Sequence, residues 1–358
     1  MRILHVVHTP RYSGAEMLVL ELTKLHATMG HQSAVVSMFP TENAFNPQVE
    51  EQRLLGISWF TPKLKLNRFD RLKHLRRVQQ DFSPNVTFAH SVLPAAYMRI
   101  SGVGAIIPVL HAEDNYSSIN LILSEYALQF FSKGVITVSP RAQVLYGERF
   151  KFPKLKCIPN GIELDKYSNA KLQDRANLLT SLGLPEHAVI ALQVGRITAI
   201  KQQNLSVRAM APLIAENPRI HLLLAGIYED TAALSDLRNE IQGHNLVKNV
   251  HLIGPRDDIP TLLQLASVYL MPSKQEAHSV ALIEAMASGV EIVASDIPAF
   301  KYVKHLKGIT LTDPNAVESF GFAIKNAISS EQRFKHKLLD FDIKLTAASY
   351  IEFAKSCI

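Results

Sequence analysis

Apolar and polar residues alternate along the chain in two recurring patterns that predict different elements. Short runs rich in β-branched residues, among them ILHVV (Ile3–Val7) and GVITVS (134–139), predict buried strands. Longer segments between them have apolar residues at helical spacing, as in GAEMLVLELTKLHATMG, which ends at Gly30. This alternation is typical of a parallel sheet that is covered by helices on both faces.

The same alternation begins again near residue 188, where AVIALQV, IHLLLAG, NVHLIG, VYLMP and VEIVAS each precede a segment with helical spacing. The junction is expected in IPNGIELDKYSNAKLQDRA, where the turn residues PNG lead into a polar segment. The pattern predicts an α/β protein with two domains, 1–165 and 166–335, and a cleft between two such domains is the usual place for a ligand. We expect the helical segment 336–358, which has an aromatic-rich stripe, to pack back towards the first domain.

Composition narrows the class of protein. The chain has 358 residues, of which 47% are hydrophobic and 20% charged, as is typical of globular domains. No apolar run reaches the roughly 18–20 residues that span a bilayer, and MRILHVVHTP is interpreted as a first strand rather than a signal peptide. Cys157 and Cys357 form no C-x-x-C pattern, which argues against a disulfide scaffold or structural zinc and favours the cytoplasm. The net charge of +6 leaves anionic partners open.

The stretch QEAHSVALIEAMASG (275–289) predicts a loop followed by a helix that carries two glutamates. Ser279 is expected to be the N-cap and Gly289 the end of the helix. The N-terminus of a helix presents free N–H groups, so a diphosphate can bind there. Glu284, inside the helix, would accept hydrogen bonds from vicinal hydroxyls such as those of a ribose, and Glu276 would face the group attached to the phosphate. Spacing alone equally allows two solvated glutamates near a helix start.

These two glutamates form the pattern E-x7-E, which is followed by AMASG. Other segments add to it in a defined order: YSGAEM, IPNGIELDKY, VGRITAIKQQ, LLLAG and LIGPRDDIPTLLQLA. Together they resemble the retaining glycosyltransferases of family 4, also called glycosyl transferases group 1, over nearly the whole chain. The resemblance implies the GT-B fold, in which two Rossmann-like domains with parallel sheets face each other across a cleft.

The resemblance also implies roles for individual residues. A UDP- or GDP-sugar would be the donor substrate, bound by the C-terminal domain, with no metal and no further cofactor, while the N-terminal domain would bind the acceptor. The donor-binding residues would be Gly14, Arg196, Lys201, Arg256, Glu276, Ser279, Val280 and Glu284. Four residues would be catalytic, since the two cations can neutralise the leaving diphosphate while the other two hold the sugar from opposite sides of the cleft: Arg196, Lys201, Glu276 and His111. On the acceptor side the resemblance places His90 and Ser91.

The implied activity is transfer of a sugar to an acceptor hydroxyl with retention, in the assembly of polysaccharide, lipopolysaccharide or another glycoconjugate. Two other functions stay open. A GT-B phosphorylase or a sugar-nucleotide epimerase would use the same donor pocket. A non-catalytic sugar-nucleotide-binding subunit of an assembly complex is suggested by Ala277-His278-Ser279, because the family usually has glycine after the first glutamate and glycine lets the backbone approach phosphate.

Two charged segments allow more than one interpretation. The basic segment between Lys63 and Arg77 has seven cations, and a helix there would turn Phe69, Leu72, Leu75 and Val78 inwards. It is either a solvated amphipathic helix or a contact with the anionic inner face of the membrane, where a lipid-linked acceptor would lie. No nucleic-acid module is present in the sequence. Asp257 and Asp258 are expected to flank the nucleotide base, with Asp258 as a helix N-cap, rather than to bind a metal.

Overall fold

The computed structural model describes residues 1–101, 104–151, 154–170, 175–330 and 332–358. These residues form two compact units: the first is Met1–Ile162 with Asp340–Ile358, and the second is Glu163–Leu339. Each unit contains one parallel sheet flanked by helices. The predicted α/β fold with two parallel sheets is therefore confirmed. Residues 171–174 of the predicted junction segment lie outside the described residues.

The first unit has a sheet of seven described strands. They are β1 (Arg2–Val7), β2 (Gln32–Ser37), β3 (Ser58–Phe60), β4 (Val86–His90), β5 (Ala105–Leu110), β6 (Gly134–Thr137) and β7 (Lys154–Cys157). Their order is β3-β2-β1-β4-β5-β6-β7, and every pair is parallel. The helices are α1 (Gly14–Thr28), α2 (Asn46–Leu54), α3 (Arg68–Phe82), α4 (Val92–Ser101), α5 (Ile119–Leu128), α6 (Pro140–Arg149) and α14 (Ile343–Cys357).

The second unit has a sheet of six described strands. They are β8 (Val189–Val194), β9 (Ile220–Ala225), β10 (Val250–Gly254), β11 (Val268–Met271), β12 (Glu291–Ser295) and β13 (Ile309–Thr312). Their order is β10-β9-β8-β11-β12-β13, again all parallel. The helices are α7 (Leu164–Ser168), α8 (Arg175–Ser181), α9 (Gln203–Glu216), α10 (Thr231–Gly243), α11 (Ile259–Leu265), α12 (Val280–Ser288) and α13 (Val317–Ser330). The crossovers place the loops after β8, β9 and β11 at one edge of the sheet.

The C-terminal helix α14 belongs to the first unit, where Tyr350 and Phe353 pack in a core with Phe88 of β4. Where the chain returns to this unit, two backbone hydrogen bonds join Ile162 to Phe341 and Ile343 at the start of α14. A Cβ on Gly134 would lie 2.8 Å from the side chains of both Phe353 and Cys357, so a larger residue here would force these two side chains of the helix to shift. The stripe noted in the sequence is thus covered by the sheet of the first unit.

Helix α3 faces the core with the predicted side, except at Phe69: Leu75 and Val78 are buried and Leu72 is half-buried. Phe69 is 79% exposed, whereas Arg71 is buried with Leu75 and Val78. The guanidinium of Arg71 lies 4.1 Å from the ring centroid of Phe39 and donates to the carbonyl of residue 66 at 3.0 Å. The predicted inner face was therefore wrong for Phe69, because an arginine that stacks on aromatic rings and donates hydrogen bonds through its two terminal nitrogens can be buried in its place.

Helix α5 is anchored by a charged residue rather than an apolar one. Glu125 is 2% exposed, and its carboxylate accepts hydrogen bonds from Arg99 at 2.6 and 3.0 Å and from the hydroxyls of Tyr116 and Tyr146 at 2.7 Å each. Burial and the nearby Glu125 carboxylate raise the pKa of both tyrosines, which keeps their hydroxyls protonated as donors. This buried network joins α4, α5 and α6 at one side of the sheet.

Candidate functional site

The loops after β8 and β9 in the second unit cross at two glycines. A Cβ on Gly226 (φ +153°) would overlap the carbonyl oxygen of Gly195, and Gly226 N donates to Gly254 O at 2.8 Å. Only glycine permits this crossing, which sets the path of the residues that follow Gly195. Two side chains then fix that path, since Gln193 donates to the carbonyl of Lys201 at 2.8 Å and Gln203 to that of Arg196 at 2.9 Å.

Both cations predicted for the phosphates are ion-paired. The Lys201 ammonium contacts Glu276, and the Arg196 guanidinium contacts Glu229. Lys201 is largely buried, with 18% of its side chain exposed, whereas Arg196 is 43% exposed. Lys201 and Glu276 come from the β8 and β11 loops, so the structure brings together two predicted site residues that are 75 positions apart. Glu229 was not anticipated, because an acidic residue in a loop after a strand carries no distinctive sequence signal.

Tyr269 of β11 feels the charge of both glutamates of the E-x7-E pattern. Its side chain is fully buried, and its hydroxyl donates to the carbonyl of Val194 at 3.4 Å. Burial raises the pKa of Tyr269, and the negative charges of Glu284 and then Glu276 raise it further. Both carboxylates therefore lie close to one tyrosine that stays neutral, an arrangement that the sequence did not predict.

Helix α12 has the caps that the sequence predicts. Ser279 is the N-cap, where its hydroxyl accepts from Leu282 N at 3.4 Å and contacts the sulfur of Met271 at 3.5 Å. Gly289 ends the helix in the left-handed conformation, with φ of +75°. Both predicted caps are confirmed, so the first N–H groups of α12, from Val280 onwards, begin directly after the loop that contains Glu276.

Glu284 is half-buried and accepts a hydrogen bond from the Tyr167 hydroxyl at 2.5 Å. Burial raises the pKa of Glu284, while the hydrogen bond from Tyr167 and the charge of Lys166 act in the opposite direction. Tyr167 belongs to α7, and its carbonyl accepts from Gln264 at 3.2 Å. Tyr167 was not predicted as a site residue, although it is the last residue of the motif IPNGIELDKY.

Arg256 forms a two-pronged ion pair with Asp258, with distances of 2.8 and 2.5 Å. Asp258 occupies the predicted N-cap position of α11, but its carboxylate makes no capping hydrogen bond because it binds Arg256 instead. Within the described ranges, no group of three or more His, Cys, Asp or Glu residues is arranged to hold a metal ion.

The candidate residues of the first unit lie at or shortly after the carboxyl ends of its strands. Gly14 begins α1, where the preceding Ser13 donates to Glu16. His90 ends β4 and is only 2% exposed, and its Nδ1 lies 2.9 Å from Nε2 of His111, which follows β5 and is half-buried. Ser91 has a φ of +82°, which is strained for serine and is the kind of outlier found near functional sites. His90 therefore contacts His111 rather than lining a surface.

The buried histidines of the first unit make its stability depend on pH. Burial lowers the pKa of His26 and of His111 to about 4 and holds the pKa of His5 and His90 well below the usual 6.5. The unfolded chain therefore binds more protons, so the stabilisation is complete above pH 6.5 and is lost as the pH falls from 6.5 towards 4.

We expect the denaturant midpoint of the first unit to fall progressively between pH 7 and pH 4.5. Trp59, the one tryptophan of the sequence, is buried in this unit and reports its unfolding by fluorescence. The experiment is repeated in 0.5 M NaCl, which screens repulsion between surface charges but leaves the burial effect. A midpoint that does not change over this range would contradict the prediction.

Comparison with known proteins gives two family matches that follow each other along the chain. Residues 12–166 match the family described as Glycosyltransferase Family 4, and residues 174–339 match Glycosyl transferases group 1. A UDP-Gal:alpha-D-GlcNAc-diphosphoundecaprenol alpha-1,3-galactosyltransferase of Escherichia coli is 26% identical over 235 residues, which are 63% of this chain and 60% of that protein. The putative glycosyltransferase EpsF of Bacillus subtilis is 22% identical over 313 residues, 82% of this chain and 79% of that protein.

Solved structures agree on the fold. The crystal structure of Anabaena Alr3699/HepE in complex with UDP and glucose aligns with a TM-score of 0.81 at 19% identity, and covers 99% of this chain and 100% of that one. The structure of WaaG, a glycosyltransferase involved in lipopolysaccharide biosynthesis, aligns with a TM-score of 0.68 at 15% identity and covers 98% of this chain and 95% of that one. The two parallel-sheet units and these alignments show the GT-B fold. The two family matches, which together span residues 12–166 and 174–339, show that the chain belongs to the family 4 glycosyltransferases.

Proposed function

We propose that this protein transfers a sugar from a nucleoside-diphosphate donor to an acceptor hydroxyl with retention, without a metal, in the assembly of a surface polysaccharide or a related glycoconjugate. The second unit would bind the donor and the first the acceptor. The observation that carries the proposal is the contact between Lys201 and Glu276, one residue pair beside the capped N-terminus of α12. A sugar diphosphate joins an anion to a sugar ring that carries hydroxyl groups. The cation and the helix N-terminus suit the diphosphate, and the carboxylate suits the sugar hydroxyls.

Binding of the donor would exchange partners at this pair. The diphosphate attracts the ammonium of Lys201 and the guanidinium of Arg196 more strongly than a single carboxylate does, since it carries more charge and more acceptor oxygens. Glu276 is then released to accept hydrogen bonds from the sugar, and His111 would contact the same sugar. The cations stabilise the negative charge that develops on the leaving diphosphate, which is most of what the reaction requires.

The nucleoside would be held by Glu284, with Arg256 and Gly14 completing the donor site. One carboxylate oxygen of Glu284 accepts from Tyr167, which orients the group and leaves the other oxygen for the ribose hydroxyls. We infer a UDP-sugar as the donor, because UDP is bound in the Anabaena structure and UDP-Gal is named for the Escherichia coli relative. The acceptor would be a glycan or a lipid-linked saccharide, the class named for that relative.

Retention would follow from attack on the face that the diphosphate leaves. The bond from the anomeric carbon to the phosphate oxygen breaks, the acceptor oxygen bonds to that carbon on the same face, and the acceptor proton passes to the phosphate. Trapping of a covalent glycosyl-enzyme would contradict this route. Product formed from the donor alone would instead favour the epimerase, and tight nucleotide binding without turnover would favour the non-catalytic subunit.

The donor site is tested by thermal shift in EDTA with UDP, GDP, ADP, TDP and their sugars. At about 100 times its dissociation constant, the right nucleotide stabilises the protein by about 2.7 kcal/mol, which is a shift of several degrees. Glu284→Ala is expected to lose that shift, since a carboxylate hydrogen bond contributes about 1.5–3 kcal/mol. Glu216→Ala is the matched control, because Glu216 is an exposed carboxylate of the same unit. A shift that Glu284→Ala retains would refute the assignment of the ribose site.

We also propose that the basic segment 63–77 contacts anionic lipid. Leu64 and Phe69 are exposed beside its cations, which is the combination that favours the surface of a membrane. Within the described residues, every helix is too short or too polar to cross a bilayer.

We expect the protein to float with vesicles that contain phosphatidylglycerol and not with pure phosphatidylcholine. Phe69→Ser with Lys65→Glu should abolish flotation, whereas Lys325→Glu, at an exposed position of the second unit, should not. Equal flotation of all three proteins would exclude this segment.

A further inference from the structure

Four histidines of the first unit form a continuous chain of hydrogen bonds. His26 of α1 contacts the carbonyl oxygen of Ala347 in α14 through Nε2, at 3.2 Å. His5 Nε2 lies 3.4 Å from His26 Nδ1, His90 Nε2 lies 3.0 Å from His5 Nδ1, and His111 Nε2 lies 2.9 Å from His90 Nδ1. The first three rings are buried, and successive rings are stacked at centroid distances of 5.2 to 5.5 Å. One hydrogen-bond network therefore connects residues of α1, β1, β4 and the loop after β5.

The carbonyl at one end determines the direction of every hydrogen bond in the chain. A carbonyl oxygen only accepts, so Nε2 of His26 carries the hydrogen, and a neutral ring then has a bare Nδ1. That nitrogen can only accept, so His5 donates through Nε2, and the same reasoning passes through His90 to His111. Burial keeps the rings neutral, because it lowers the pKa of each of them. His111 is left with its hydrogen on Nε2, bonded to His90, and with a lone pair on Nδ1.

We propose that His90, His5 and His26 are positioning residues that impose, from the carbonyl of Ala347, the tautomer in which His111 Nδ1 is a hydrogen-bond acceptor. In the proposed function this nitrogen would face a hydroxyl of the transferred sugar. The inference rests on the proposed function for the identity of the ligand. This tautomer makes the site favour a hydrogen-bond donor: a sugar with a hydroxyl at the contacted position is expected to react well, and one with a deoxy, fluoro or keto group there to react poorly. A single histidine at this position would have offered either tautomer and no such discrimination.

The tautomers are measured directly in the unmodified protein. In protein labelled with ¹⁵N-histidine at pH 7.5, multiple-bond ¹H–¹⁵N correlation distinguishes protonated from bare ring nitrogens, and single His→Gln variants assign the signals. We expect all four rings to carry hydrogen on Nε2. A hydrogen on Nδ1 of His111, His90 or His5 would overturn the proposal. This measurement needs neither a ligand nor a destabilising variant.

Two variants of His26, at the end of the chain of histidines remote from His111, test whether His26 controls the tautomer of His111. His26→Leu removes the link to the carbonyl, so His111 is expected to populate both tautomers and kcat/KM to fall about tenfold, as for other partners that orient a functional histidine. His26→Gln can donate to Ala347 and accept from His5, so it should restore both the tautomer and most of the activity. Trp59 fluorescence verifies that each variant is folded. Equal losses in the two variants, with the His111 tautomer unchanged, would show a packing role only and overturn the proposal.

Ligand identity is tested separately. With a series of monodeoxy donors, one analogue is expected to react poorly with the unmodified enzyme, and His26→Leu should reduce that discrimination, while stabilisation by UDP stays the same in both proteins. No discrimination among the analogues, with UDP binding intact, would overturn the sugar contact alone. If no nucleotide stabilises the protein, the sugar contact and the proposed function are both overturned, even if the histidine tautomers are the expected ones.

Discussion

Replacement of Lys201 by alanine is expected to lower kcat/KM for sugar transfer by about 10³-fold, the cost of removing one preorganised group that stabilises a developing oxyanion. The ammonium is mostly shielded from water, so its interaction with the leaving diphosphate is screened less than that of an exposed cation. The variant also leaves Glu276 without its cation beside the anionic donor. Steady-state kinetics with the donor identified by thermal shift measures the effect.

Two further variants show whether charge or packing at position 201 is responsible. Lys201→Arg keeps the cation with a different shape and should recover part of the activity, whereas Lys201→Met keeps the length without the charge and should not. Lys325→Ala removes an exposed cation of the same unit that is paired with Glu216, and is expected to leave the kinetics unchanged. Activity of Lys201→Met within tenfold of the unmodified enzyme would contradict a role in neutralising the diphosphate.

The second large effect is expected on stability, when Arg99 is replaced by methionine. The Glu125 carboxylate would remain buried with only two tyrosine hydroxyls as donors, and breaking a buried ion pair in this way costs about 3–5 kcal/mol. Urea unfolding followed by Trp59 fluorescence measures the first unit, because the chain has no other tryptophan.

Double replacement of Arg99 and Glu125 by methionine should be less harmful than the single change, since no uncompensated charge is left. The ion pair between Lys24 and Glu51, at 2.9 Å on the surface of the same unit, is the matched control, and Lys24→Ala should cost less than about 1 kcal/mol. If Arg99→Met cost no more than Lys24→Ala, the buried network would not stabilise the unit.

In helix α5 the burial of the side chains is the opposite of what the apolar pattern predicts. Its sequence INLILSEYAL appears apolar with one acid, yet Ile119 and Leu123 are exposed and Glu125 is inside. Helix α3 is similar, with Phe69 outside and Arg71 inside. In both cases a charged side chain is buried because residues outside its own helix form hydrogen bonds with it, Tyr146 with Glu125 and Tyr97 with Arg71, and such partners are invisible to local periodicity.

The sequence alone determined the features that depend on neighbours along the chain: the alternation of strands and helices, the parallel sheets that this alternation requires, and the caps of α12 at Ser279 and Gly289. Family membership followed from motifs whose order could be read directly. Only the tertiary structure decided which side chains meet, such as Tyr167 with Glu284, 117 positions apart, or His26 with Ala347, 321 positions apart. Strand order and burial bring these groups together, and burial then makes each hydrogen bond obligatory, which no local pattern of residues encodes.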